Sequence, residues 1–135
     1  MKINKSICII DDDDIYQFIV KKTIHKLNIF GEISSYLNGR DAIESFKKNI
    51  ASNIELPDII LLDINLPVID GWQFMDEFVK IQKQCKKKIA IYIVSSSIAQ
   101  KDIDKSKSYK DVTGFLSKPI DPDTLIKMNQ IEWDA

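Results

Sequence analysis

Apolar positions along this chain follow two alternating rhythms. Short, largely apolar runs at 6–10, 32–36, 59–62, 89–94 and 113–116 alternate with longer segments where apolar residues recur every three or four positions. A run without polar alternation suits a strand covered on both faces, as in a parallel sheet packed between helices. The longer segments read as one-sided amphipathic helices. Segment 14–27 carries Tyr16, Ile19, Val20, Ile24 and Leu27 at helical spacing. Segment 39–51 carries Ala42, Ile43, Phe46 and Ile50, and 71–84 carries Phe74, Met75, Phe78, Val79 and Ile81. The fourth, 98–109, has only Ile98, Ala99, Ile103 and Tyr109 to bury, which predicts a loosely held helix. The last, from 122 to about 133, has Leu125, Met128 and Ile131. Asp121 is placed to cap it, with Pro122 in its first turn.

Strands alternating with helices predict βαβ units and an α/β fold. Right-handed crossovers leave few topologies, the simplest being a doubly wound five-stranded parallel sheet with helices on both faces. Nothing repeats, no Gly/Ser- or Pro-rich linker appears, and 51–57 reads as a slightly extended loop. A length of 135 residues suits one domain over 1–135, with no second domain.

Charge and cysteine content narrow the function classes. Nineteen basic and twenty acidic side chains nearly cancel, so no global field draws the chain to nucleic acid or to an anionic membrane. No run approaches transmembrane length, and the apolar run at 7–10 is too short for a signal peptide and stops at four aspartates. Cys8 and Cys85 lack metal-type spacing and fit a reducing cytosol better than a disulfide scaffold. The expectation is a cytoplasmic protein.

The chemistry gathers where the strands end, the edge on which open α/β sheets place their ligands. Four apolar residues, 59–62, run straight into Asp63, followed by a turn through Pro67 and a helix opening at Gly71. The first run ends in Asp11, Asp12, Asp13 and Asp14, the fourth in Ser95, Ser96 and Ser97, and the fifth in Ser117, Lys118 and Pro119. Asp11, Asp12 and Asp63 together are unfavourable unless cations lie among them. The Lys118 ammonium is one such cation and a hard divalent ion is another. Mg²⁺ suits few carboxylates, retained waters and phosphate oxygens, whereas the run lacks the glycine and distal glutamate of a calcium-binding EF-hand. Carboxylate, metal, lysine and hydroxyl on neighbouring strand ends describe a phosphoryl-transfer site. Asp63 is then the nucleophile, Lys118 and Mg²⁺ neutralise the transferring oxygens, and the Ser95 hydroxyl bonds one of them.

These motifs resemble the receiver domain of bacterial two-component response regulators over nearly the whole chain. Asp11-Asp12 resembles the family's acidic pair after strand one, and Asp63 through Pro67 to Asp70-Gly71 resembles its phosphoacceptor motif. Ser95 falls at its Thr/Ser position and Lys118-Pro119 at its Lys-Pro. The resemblance implies a flavodoxin-like sheet with strand order 2-1-3-4-5. It implies a phosphoacceptor switch, not a turnover enzyme, with Asp63 taking a phosphoryl group from a sensor histidine kinase or histidine phosphotransfer protein. Asp11, Asp12, Asp63 and the Asn65 main-chain carbonyl would hold Mg²⁺, and Phe115 falls at the switch aromatic that moves with Ser95. Asn65 and Ser97 fall where the family tunes acyl-phosphate hydrolysis. Without an output domain, such a chain would act on an unnamed protein partner through its fourth helix, fifth strand and fifth helix, as a monomer or weak dimer.

Bland readings compete at several positions. Asp13 and Asp14 suit the first helix's N-terminus better than a metal. His25 reads as exposed and inert, Trp72 and Trp133 as packing, and Lys80, Lys83, Lys86, Lys87 and Lys88 as a solvated face. Two other functions compete with the phosphoacceptor switch. An aspartate-nucleophile phosphatase of the haloacid dehalogenase type needs a second acid where this chain has Asn65, which cannot exchange the proton. A phosphorylation-independent scaffold would not need the full set of acids, hydroxyl and lysine.

Overall fold

The computed structural model describes residues 4–97 and 99–130, and in it the expected strands lie side by side. They are β1 (Ile7–Ile10), β2 (Ile33–Tyr36), β3 (Ile59–Asp63), β4 (Ala90–Ser95) and β5 (Val112–Ser117). The sheet runs β2-β1-β3-β4-β5, every neighbouring pair parallel. Five helices connect or follow them: α1 (Asp14–Leu27), α2 (Gly39–Ala51), α3 (Gly71–Gln84), α4 (Gln100–Ser106) and α5 (Pro122–Gln130). This is the flavodoxin-like order, and it puts the C-terminal ends of all five strands on one edge.

Each strand's alternation divides the core into two layers. Cys8, Ile10, Ile60, Leu62, Ile91 and Ile93 face α2 and α3, where Phe46, Phe74, Met75 and Phe78 are fully buried. Ile7, Ile9, Ile59, Leu61 and Val94 face α1 and α5 and meet Val20, Ile24, Leu125 and Met128. Burial on both faces explains why β1, β3 and β4 carry unbroken apolar runs. Cys8 is fully enclosed, and burial pushes its thiol up to about 12 despite a hydrogen bond involving Ser34, so it is no nucleophile.

The differences from expectation have local causes. Ile19, placed by sequence on the buried face of α1, is 54% exposed. The buried stripe is Gln17, Val20 and Ile24, and a second stripe of Ile15, Phe18 and Ile19 faces outward. β5 begins at Val112 because Thr113 bulges out of register, and its hydroxyl accepts the Ile91 N–H at 3.2 Å. α4 has seven residues and Ala99 at its N-cap, which offers no side-chain acceptor. It is held from one side, where Trp72 stacks on Tyr109 and lies under Lys105, while Tyr109 donates to Asp76 at 2.7 Å. Lys87 is no solvated lysine. It pairs with the buried Asp58 at 2.9 Å and donates to the Leu56 carbonyl, pinning the loop before β3. His25 is exposed and Trp72 is buried. Ile98, Ile131 and Trp133 lie outside the described residues. No helix among the described residues is long and apolar enough to cross a membrane.

Candidate functional site

β1 and β3 are neighbours with Ile10 opposite Leu62, so the residues that follow, Asp11 and Asp63, emerge side by side. Both are buried, at 2% and 6% exposure, where an unpaired charge would be costly. Each is held by the same local device. Asp11 Oδ1 accepts the Asp13 N–H at 2.9 Å, and Asp63 Oδ1 accepts the Asn65 N–H at 3.1 Å. Their remaining oxygens meet one cation. Lys118 Nζ lies 2.5 Å from Asp11 Oδ2 and 3.5 Å from Asp63 Oδ2.

Lys118 comes from the end of β5, two strands away from β3. Its N–H donates to the Ser95 carbonyl at 2.9 Å, which prolongs the β4–β5 ladder, and the peptide to Pro119 is cis. Asp12 is exposed beside Asp11. Carboxylate oxygens of Asp11, Asp12 and Asp63 lie within 4.8 Å of one another. Oxygen ligands at Mg²⁺ distances sit about 3–4 Å apart, so a small closure brings this all-oxygen set onto one hard ion. The donor chemistry therefore fits a divalent cation.

Charge in the pocket is unevenly balanced. Burial and then the Asp11 charge raise the pKa of Asp63, while the Asn65 N–H and Lys118 pull it back only in part. Burial opposes the Lys118 ammonium, yet its hydrogen bond to Asp11 and the charges of Asp63 and Asp11 outweigh that and raise its pKa. The pocket thus holds more negative charge than its lysine neutralises and favours a further cation.

The other sequence-predicted residues take distinct places. Asp13 is the N-cap of α1, accepting from Ile15 and Tyr16. Asp121 plays the same part for α5, accepting the Thr124 N–H at 2.8 Å. Ser95 is buried at the end of β4, its hydroxyl donating to the Ser97 carbonyl at 2.8 Å and accepting the Ser97 N–H. It is engaged with its own loop, not with the acids. Phe115 is half-buried, packed against the α2–α3 layer. The β3–α3 loop closes through the Gly71 N–H donating to Ile64 at 2.8 Å. Val68 sits on that loop at φ 71°, a left-handed conformation strained for a β-branched residue, and is 69% exposed.

Two residues of α1 join the site beyond those that the sequence motifs point to. Gln17 is buried, and its amide nitrogen points at the carbonyls of Ile9, Asp11 and Tyr36 at 3.1–3.2 Å. It ties the ends of β1 and β2 to α1 and so fixes the Asp11 backbone. A lone polar residue on a buried helical stripe was the available signal. Replacing Gln17 with Leu leaves those carbonyls short of a donor and should cost about 1–3 kcal/mol in denaturant unfolding. Divalent-cation affinity should fall with it, because Asp11 loses its anchor. Tyr16, read from sequence as core, lies with its ring under Lys118 at 4.4 Å.

Comparison with known proteins agrees with this arrangement. Residues 7–130 match the family described as response regulator receiver domain. The crystal structure of a two-component response regulator from Cytophaga hutchinsonii superposes with a TM-score of 0.84, at 33% identity and 95% coverage of both chains. The chemotaxis protein CheY of Thermotoga maritima is 29% identical over 126 residues, covering 91% of this chain and 92% of that protein. The probable transcriptional regulator ycf29 of Porphyra purpurea is 31% identical over 93 residues, and the aligned region is only 40% of its length.

Proposed function

Since this chain belongs to the response regulator receiver domain family, we propose that it is a phosphorylation switch whose acceptor is Asp63. Asp63 receives a phosphoryl group from a sensor histidine kinase or a histidine phosphotransfer protein. A carboxylate oxygen of Asp63 bonds to phosphorus as the phosphorus–nitrogen bond of the donor's phosphohistidine breaks, and the electron pair returns to the imidazole. Lys118 neutralises one transferring oxygen. Asp11, Asp12, Asp63 and the Asn65 main-chain carbonyl would hold Mg²⁺, which supplies positive charge against the phosphoryl oxygens when bound. The observation that carries this reading is the shared ammonium. One lysine bridges two buried carboxylates, and a carboxylate oxygen of a third acid, Asp12, lies within 4.8 Å of oxygens of both.

The donor must reach Asp63 across the strand-end edge, beside the start of α1. There the outward stripe of Ile15, Phe18 and Ile19, exposed by 73%, 67% and 54%, offers an apolar seat for a helix of the histidine-bearing partner. On the output side, the reading is that Ser95 leaves its bonds to Ser97 and turns to the phosphoryl group while Phe115 repacks. α4, β5 and α5 then present the changed surface to a downstream protein. The short α4, without a side-chain cap, supports this, because a helix held by few bonds is cheap to move.

Beryllofluoride, a mimic of the acyl phosphate, tests the reading. With Mg²⁺ it should change the fluorescence of Trp72, which lies in the first turn of α3 just after the pocket and stacks on Tyr109, and without Mg²⁺ it should not. NMR shift changes should extend from the pocket to α4, β5 and α5. Unchanged spectra under all conditions would favour a phosphorylation-independent scaffold.

A further inference from the structure

We propose that Tyr16 is a positioning residue for phosphoryl transfer, its ring serving as the seat that holds the Lys118 ammonium beside Asp63. This rests on the reading of Asp63 as acceptor and adds a part of the machinery to it. The ammonium touches three groups: Asp11 at 2.5 Å, Asp63 at 3.5 Å and the face of the Tyr16 ring at 4.4 Å. Its closest partner is the one for which a bound divalent ion would compete. Asp11 is also one of the three carboxylates arranged for a divalent ion, and a metal-bound oxygen is a poorer partner for an ammonium. With such an ion bound, Lys118 would have to remain near Asp63 on a weakened bond to Asp11.

An aromatic face suits that task. It attracts a cation through its quadrupole yet is no ligand for a hard ion, so the metal does not compete for it. The seat is itself well fixed. Tyr16 lies in the first turn of α1, its N–H bonded to the capping Asp13 at 3.1 Å, and the next residue, Gln17, is tied to the ends of β1 and β2. The phenol oxygen is buried with no hydrogen-bond partner among the described residues. The contact with the ammonium is therefore made by the ring face and not by the hydroxyl.

The test uses Tyr16→Phe and Tyr16→Met, each with Lys118 and with Lys118→Met, measuring phosphoryl uptake from acetyl phosphate with Mg²⁺. Tyr16→Phe should match the wild type within about twofold. Tyr16→Met should be slower by about 5–30-fold, the loss of one desolvated cation–π contact. Tyr16→Met should leave the residual uptake of Lys118→Met unchanged. Independently of turnover, the ε-methylene protons of Lys118 should be shifted upfield by the ring in the wild type and in Tyr16→Phe, with or without Mg²⁺. They should return to ordinary values in Tyr16→Met. Wild-type rates in Tyr16→Met, equal losses in Phe and Met, or a loss that persists without Lys118 would overturn the proposal. If Tyr16→Met does not fold, an unshifted Lys118 resonance in the wild type overturns it alone. A wild type that takes up no phosphoryl group would instead refute the reading of Asp63, and the proton shifts would still decide whether the seat exists.

Discussion

Replacing Asp63 with Asn should abolish phosphoryl uptake and, without divalent cations, should make the protein more stable at neutral pH. The first effect follows because an amide is no nucleophile toward phosphorus and no anionic metal ligand. The second follows from the raised pKa of Asp63. Burial and the Asp11 charge make ionised Asp63 unfavourable in the fold, and the Asn65 N–H and Lys118 offset this only in part. A carboxylate whose pKa is higher folded than unfolded holds its proton more tightly in the native state. Stability therefore falls as pH rises from the ordinary value of 3.8 through the raised folded value, and the penalty stays in full above it. The stabilising effect of Asp63→Asn should accordingly be present at pH 7, shrink through that window on acidification, and vanish below it. Denaturant unfolding at several pH values, with chelator, checks the sign. An Asn variant less stable at pH 7 would show that Asp63 is held in a favourable ion pair. Added Mg²⁺ should reverse the order, since an ion held by the three carboxylates would stabilise the folded wild type and offset the repulsion.

Gly71→Ala should give the largest loss of stability from the smallest change, about 2–3 kcal/mol. A Cβ at this position would stand 2.7 Å from Ile64 Cα and 2.9 Å from the Asp63 carbonyl oxygen. Both are well inside the normal contact distance of roughly 3.5–4 Å. Both belong to backbone, so no rotamer change relieves the clash. Asp70 caps α3 with a reciprocal capping box, which holds the helix start in place from the other side. The strain must then move the end of β3 at Asp63 and the β3–α3 loop, which carries Asn65. Calorimetry should show the lower melting temperature, and titration should show weaker Mg²⁺ binding than in the wild type. An alanine variant with unchanged stability and affinity would contradict the close approach of α3 to the end of β3.

The legible parts of the sequence were those governed by local periodicity and capping. The bounds of α1, α2 and α3 coincide with the segments of helical spacing, because Asp13, Asn38 and Asp70 mark their starts chemically. Asp11, Asp63 and Lys118 could be placed together because strand-end residues share an edge in any doubly wound sheet. What stayed hidden depends on orientation about a helix or on contacts distant in sequence. Ile19 and Val20 are adjacent and both apolar, and only the packing of α1 on the sheet decides which one faces in. Lys87 looked like one of several surface lysines until Asp58, 29 positions earlier in a neighbouring loop, supplied its partner. Tyr16 was visible as an apolar residue but not as a ring, since Lys118 lies more than a hundred positions away. The left-handed turn at Val68 carries no residue signal at all, as glycine or asparagine is the usual mark of one.

The most direct test is chemical trapping of the acyl phosphate. Wild-type protein incubated with acetyl phosphate and Mg²⁺, then reduced with borohydride, should yield a peptide in which Asp63 has become homoserine. Chelator or Asp63→Asn should abolish that product. Homoserine at another aspartate, or phosphate recovered on a different side chain with Asp63 intact, would contradict the account.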